Sequence, residues 1–174
     1  MAKESVLFST DTMRKVLTGR ITAFREEIKP QPLFPTTADV IIASAEPVYS
    51  VGEYLYVRET FYRLEDGTRI YRASYDTEES INWKPGFFMG EEDFRYRIQI
   101  TSASPQKLSD LTREDILAEG IGTRASGFDR LQREYKEYWN SLHTDSIRNK
   151  DKFQYRDDLW TWKYTFKLRK IRGR

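Results

Sequence analysis

The clearest pattern in the chain is the alternation of apolar and polar residues between residues 51 and 62. Leu55, Val57 and Phe61 fall on one face of the strand that this period predicts. The same parity places Glu59 on the apolar face. A carboxylate at a core-facing position costs free energy unless it is paired or lies at the mouth of a cavity. Glu59 is therefore the first candidate for a functional site.

Similar patterns predict the other elements. Strands are predicted at residues 5–8, after a hairpin turn at 65–68, at 95–102 and at 160–171, and helices after Thr10, near 112–119 and at 126–142. The proline-containing segment at about 30–50 has little periodicity and is predicted as a loop-rich insertion, with a short strand or buried turn at 40–43. This order indicates an α+β, mostly β fold, in which helices pack on a small antiparallel or mixed barrel.

Length and composition fit a single domain over residues 1–174. The chain is long enough to bury a sizeable core, and no repeat or linker divides it. It contains no cysteine, which excludes disulfides, thiol catalysis and thiolate zinc sites. Its single histidine, His143, is predicted at the surface near a helix end, which removes a histidine-rich metal site. We therefore expect no metal and no cofactor.

The charge is only mildly basic, with a formal net charge of +2, so nucleic-acid binding is allowed but not demanded. The segment from about 145 to 174 is the strongly basic part. Aromatic residues make up 14% of the chain, which suits stacking on bases but is equally usual in a small β-rich core. No apolar run reaches membrane-spanning length and no signal-peptide core follows Met1, so we expect a cytoplasmic protein without a membrane partner.

Six motifs occur in the order in which a known family carries them. They are Leu7-Phe8-Ser9-Thr10, Gly19-Arg20 with Thr22 and Arg25, Ile28-Lys29-Pro30, residues 51–60, Trp83-Lys84-Pro85 and residues 117–121, and a Trp-rich strand closes the chain. In these features the sequence resembles the ASCH domain family, and most closely its longer phage and prophage members. The resemblance implies a PUA-like β-barrel and RNA binding. A smaller type of member hydrolyses an acetylated cytidine nucleoside.

The resemblance also implies a cleft between the barrel and its helices. Its predicted site residues are Arg20, Thr22, Arg25, Arg58, Glu59, Tyr71, Trp83, Lys84 and Glu119. The cationic groups supply donors for phosphate or a base edge, the aromatic rings supply faces for an unstacked base, and the carboxylates accept from amines or a ribose hydroxyl. A structural interpretation stays open, in which Arg58 pairs with a surface carboxylate and Glu59 anchors Arg25 or a loop amide.

The hydrolytic members carry a lysine two residues after the glycine, a threonine three residues further on, and a glutamate in the short helix. Glu119 matches the glutamate and is the one catalytic candidate, but Ile21 and Phe24 occupy the other two positions. Neither side chain can act as nucleophile or base. The resemblance to the family, together with the absence of this lysine and threonine, favours an RNA- or nucleotide-binding protein without the amidohydrolase activity. Two alternatives are a hydrolase acting on a modified nucleoside through Glu119 and a module that binds an acidic protein partner.

Overall fold

The computed structural model describes residues 4–76, 80–142 and 154–171, and these contain one mixed five-stranded sheet. The elements are β1 (Ser5–Leu7), α1 (Thr10–Leu17), β2 (Ala23–Glu27), α2 (Ala38–Ser44), β3 (Tyr54–Arg58), β4 (Phe61–Arg63), β5 (Arg69–Tyr71), β6 (Tyr96–Lys107), α3 (Arg113–Ala118), α4 (Phe128–Leu142) and β7 (Trp160–Lys170). The sheet has the order β1-β3-β6-β7-β2, with β1 parallel to β3 and the other pairs antiparallel. It curls into a half-barrel on which the helices pack. This confirms the predicted α+β, mostly β fold.

The larger core lies between the sheet and the two N-terminal helices. Met13 and Val16 of α1 and Ile41 of α2 are buried in it, against the apolar face of the sheet. The three-residue spacing of Met13 and Val16 places both on one helix face. A second core joins α3 and α4 through a separate set of buried residues, which are Leu108, Leu111, Ile116, Leu131, Tyr135, Trp139 and Leu159. The sheet and the C-terminal helices therefore have distinct apolar cores.

The segment at 40–43 forms neither the short strand nor the buried turn that its sequence predicts. It lies within helix α2, where Ile41 is buried while Val40 and Ile42 are exposed. The β-branched residues favour a strand locally, and one buried residue is too few to show a helical period. Packing of Ile41 against the sheet decides the outcome instead.

Strand β6 runs to Lys107, beyond the predicted end at residue 102. A bulge between Ile100 and Ser102 shifts the register with β7, so that Ile100 pairs with Phe166 and Ser102 with Thr165. A bulge interrupts the two-residue alternation. Pro105 also lies within the strand, and proline argues against a strand when only sequence is available. The bulge and the proline explain why the sequence pattern predicts only the first half of this strand.

Some predicted features lie outside the described residues, namely His143 and the parts of the basic tail at 145–153 and 172–174. In the described ranges, no helix has the length and apolar character needed to cross a membrane. Over the same ranges, no group of three or more histidine, cysteine or acidic residues could hold a metal ion.

Gly86 packs directly against the backbone that follows β3. A Cβ atom built on Gly86 would lie 2.7 Å from the backbone nitrogen of Glu59 and 2.9 Å from the carbonyl carbon of Arg58. Backbone atoms cannot yield to such a contact as a flexible side chain can, so this position requires glycine. The loop that carries Gly86 is thereby held close to Arg58 and Glu59.

We expect Gly86→Ala to lower the free energy of unfolding by about 1–3 kcal/mol, because the new methyl group forces the two backbone segments apart. Gly127→Ala is the matched control, since no atom lies within 4 Å of a Cβ built there. Urea denaturation of both variants measures the difference. Equal midpoints for the two variants would contradict the close approach.

Candidate functional site

An open cleft of about 820 Å³ lies between the turn that follows α1 and helix α3. Its lining residues are Thr18, Gly19, Arg20, Thr22, Arg113, Glu114, Leu117, Ala118, Gly122, Thr123 and Arg124. Gly19 adopts a φ of 70°, which ends α1, and the backbone N–H of Arg20 then donates to the carbonyl of Lys15 at 2.8 Å. The two walls meet where the N–H of Thr22 donates to the carbonyl of Ala118 at 2.9 Å.

The described lining of the cleft includes three guanidinium groups and one carboxylate, that of Glu114. Arg113 donates to the carbonyls of Ser126, at 2.7 Å, and Arg124, so it holds the loop that follows α3. Arg20 reaches the carbonyl of Gly122 at 3.3 Å. Neither Arg20 nor Arg124 makes an ion pair with another described residue. These two groups give the cleft a positive charge that the described protein does not neutralise.

A buried ion pair ties the two walls together beside the cleft. Arg25 of β2 donates from Nε to Oε1 of Glu119 at 2.6 Å, and the Arg25 and Glu119 side chains are 0% and 5% exposed. The other carboxylate oxygen of Glu119 accepts from the hydroxyl of Tyr135 at 2.8 Å. Alternation along β2 turns Phe24 to the larger core and Arg25 to α3. The pair therefore connects β2, the end of α3 and α4.

Asp115 extends this network on helix α3. Its carboxylate lies 3.5 Å from Nη2 of Arg25. It accepts hydrogen bonds from Lys163, from Gln106 and from Thr112, the N-cap residue of α3. Burial raises the pKa of Asp115, but the hydrogen bonds from Lys163 and Thr112 outweigh it and bring the pKa to about 2. Burial raises the pKa of Glu119, against the opposing effect of the Arg25 guanidinium and the Tyr135 hydroxyl.

Glu59 belongs to a different network. Its side chain is 1% exposed and accepts two hydrogen bonds from Arg95, at 2.8 and 2.7 Å. The Arg95 guanidinium also lies 4.1 Å from the centre of the Tyr71 ring and donates to Ser74 at 2.8 Å. The Glu59 carboxylate therefore binds Arg95, and not Arg25 or a loop amide. Arg25 and Glu59 are not brought together by any of these contacts.

Arg58 holds the loop that carries Gly86. It donates to the hydroxyl of Ser5 at 2.9 Å and to the carbonyls of Phe87 and Met89, each at 3.0 Å. The partners are neutral oxygens and not a surface carboxylate. Arg58 therefore stabilises the junction between β1, β3 and the loop.

Trp83 lines a second hollow of about 350 Å³, apart from the main cleft, together with Arg14, Arg72 and Tyr75. Its ring centre lies 6.1 Å from that of Tyr75 and 5.9 Å from the Arg72 guanidinium. The neighbouring Lys84 is exposed and pairs through its backbone with Phe61. Aromatic and cationic groups therefore lie close together in this hollow, apart from the other predicted site residues.

Among the predicted residues, the main cleft itself contains only Arg20 and Thr22. Arg25 and Glu119 form the adjacent buried pair, and the rest lie in the other networks and hollow described above. Sequence analysis missed Arg113 and Arg124. The closely spaced glycines at 120 and 122 were the signal that the chain turns sharply after α3 and brings Arg124 to the cleft.

We expect Arg25→Met alone to lower the free energy of unfolding by about 3–5 kcal/mol, because it leaves the Glu119 carboxylate buried without its counter-charge. The double variant Arg25→Met/Glu119→Leu should be less destabilised than the two single variants added together. Chemical denaturation of the four proteins in a double-mutant cycle measures the coupling. Additive losses would show that the two side chains do not stabilise each other.

A lowered pKa makes the contribution of Asp115 depend on pH. The stabilisation is complete above the unfolded pKa, near 3.8, and is lost as the pH falls through the folded pKa of about 2. The wild type should therefore be more stable than Asp115→Asn by about 2 kcal/mol at pH 6, with the gap closing between pH 4 and pH 2. Denaturation midpoints across this range test it, and a gap that does not change with pH would contradict it.

No family model matches the sequence, and no curated protein matches it. The fold is similar to that of protein EF3133 from Enterococcus faecalis V583, assigned to DUF984, with a TM-score of 0.52 and 13% identity over 98% of this chain and 78% of that one. The ASCH domain from Lactobacillus crispatus JV V101 superposes with a TM-score of 0.47 and 15% identity, over 93% of this chain and 70% of that one.

The similarity to EF3133 covers nearly the whole of this chain. At 13% identity the similarity shows the architecture alone. The similarity therefore supports the predicted α+β fold, while the resemblance to the ASCH family is carried by the six motifs.

Proposed function

We propose that this chain is a single ASCH-type domain over residues 1–174 that binds RNA or a nucleotide in the main cleft. The observation that carries the proposal is the cleft itself, with a volume of about 820 Å³ and a lining of three guanidinium groups to one carboxylate. Small-molecule sites have volumes of roughly 300–1,000 Å³. The excess of positive charge suits a phosphorylated ligand.

The arginines of the cleft have different parts in this proposal. Arg20 and Arg124 are exposed and make no ion pair among the described residues, so their donors are available for phosphate oxygens or a base edge. Arg113 is committed to two carbonyls and shapes the cleft wall. Thr22 offers a hydroxyl at the same turn, and Glu114 is the carboxylate placed to accept from a base amine.

The remaining predicted residues act outside the cleft. Trp83 keeps its proposed role as a stacking face, because its half-buried ring lies beside Arg14 and Arg72 in the second hollow. The exposed side chain of Lys84 is proposed to contact phosphate nearby. Arg58, Glu59 and Tyr71 contribute indirectly, since their hydrogen bonds and ring contacts are made within the protein.

The same geometry supports binding without the amidohydrolase reaction. Ile21 pairs through its backbone with Glu119, and Phe24 stacks on Tyr164 with ring centres 5.0 Å apart, so apolar side chains occupy both positions of the missing nucleophile and base. Both carboxylate oxygens of Glu119 are engaged, by Arg25 and Tyr135. A carboxylate held in this way is poorly placed to move a proton. The phage-type assignment, the cytoplasmic location and a protein partner remain predictions from the sequence.

We expect Arg20→Ala and Arg124→Ala each to weaken binding of a fluorescein-labelled single-stranded RNA by roughly 3- to 10-fold at fixed salt, because each removes a phosphate contact. Arg156→Ala is the control, since Arg156 lies outside the lining and pairs at the surface with Asp158. Fluorescence anisotropy gives the affinities, and thermal unfolding confirms that the variants fold. Unchanged affinity in both cleft variants, or an equal loss with Arg156→Ala, would contradict binding in the cleft.

A further inference from the structure

A further hollow of about 330 Å³ opens between the same turn and strand β7. It shares Gly19 and Thr22 with the main cleft, so one turn borders both. The N–H of Thr22 bonds to the carbonyl of Ala118 in the cleft wall, and its carbonyl accepts from the N–H of Phe166 in β7, both at 2.9 Å. The turn is therefore a fixed ridge between two adjoining hollows.

The β7 hollow has the groups that a nucleotide unit needs. Ile21, Phe166 and Leu168 supply apolar surface, and Lys167 and Arg169 supply positive charge. None of its described lining residues is acidic, and Lys167 is exposed without an ion pair to any other described residue. In the described part of the chain, the Arg169 guanidinium donates to the neutral amide oxygen of Gln99, at 3.2 and 3.3 Å, and makes no ion pair. The positive charge of the main cleft thus continues across the ridge.

A free nucleotide has one base and one cluster of phosphates, so a single hollow with nearby cations is enough to bind it. Two hollows separated by a ridge, with cations on both sides, match a polymer that repeats base and phosphate. Bases stacked inside a duplex cannot enter such hollows, whereas an unpaired strand can turn its bases into them. The two hollows with their flanking cations are therefore complementary to single-stranded nucleic acid.

Building on the proposed function, we infer that the ligand is a single-stranded RNA segment of several nucleotides that crosses the turn formed by residues 19–22. One base enters the main cleft and another the β7 hollow. Arg20, Lys167 and Arg169 contact the phosphates between them. Specific contact to the β7 hollow requires a ligand longer than one nucleotide.

The test compares the full chain with a mononucleotide, a hexanucleotide and the same hexanucleotide in a duplex. We expect the single-stranded hexamer to bind at least about tenfold more tightly than the mononucleotide, because it engages a second base. Lys167→Ala should weaken hexamer binding, and should lower the slope of log affinity against log salt by about 0.7, the value for one phosphate contact on a single strand. It should leave mononucleotide binding unchanged.

Lys107→Ala is the control, because it removes the same charge at the opposite end of the β6–β7 ladder, where Lys107 pairs with Trp160. Equal affinity for mononucleotide and hexamer, a Lys167→Ala variant that behaves like Lys107→Ala, or tighter binding of the duplex would each overturn the inference and leave the main cleft as a nucleotide site. If Arg20→Ala and Arg124→Ala both bind the mononucleotide and the hexamer as tightly as the wild type, or if the wild type binds neither ligand, the proposed function is overturned instead. The two failures are therefore distinguishable.

Discussion

The site depends on the buried ion pair between Arg25 and Glu119. Removing two charges from water is unfavourable, and such a pair is stable only where its geometry is good and the remaining donors and acceptors are satisfied. Here the Nε to Oε1 distance is 2.6 Å and Tyr135 donates to the second oxygen. The buried Nη2 of Arg25 has no hydrogen-bond partner among the described residues and lies 3.5 Å from the Asp115 carboxylate. The pair holds β2, which follows the turn at 19–22, against the end of α3, and so supports both walls of the cleft from behind.

A second pair, between Glu59 and Arg95, likewise combines a buried carboxylate with a guanidinium at close range. In both cases an inward-facing carboxylate is neutralised by a guanidinium from a distant part of the sequence. The two pairs use internal acids to neutralise internal arginines. What remains at the main cleft and the β7 hollow is an excess of exposed cations, although the chain as a whole has a formal net charge of only +2. Local charge, rather than the total, characterises this surface.

Periodicity predicted most of the fold, because α1, α4, β3 and β7 each bury a regular face. It failed at α2, where one buried residue sets the conformation, and after the bulge in β6, where the alternation changes phase. For the site, parity predicted that Glu59 is buried, but only tertiary structure could identify Arg95 as its partner. Gly120 and Gly122 indicate a sharp turn after α3, but the position of Arg124 at the cleft depends on the tertiary conformation of that loop.

The ridge between the hollows is made by main-chain hydrogen bonds, through the N–H and the carbonyl of Thr22. Main-chain groups are the same in every residue except proline, so this frame does not depend on which side chains the turn carries. Position 21 can therefore change its side chain while the two hydrogen bonds of Thr22 that form the ridge stay in place. The turn can exchange one side chain that borders the hollows for another without a change of fold.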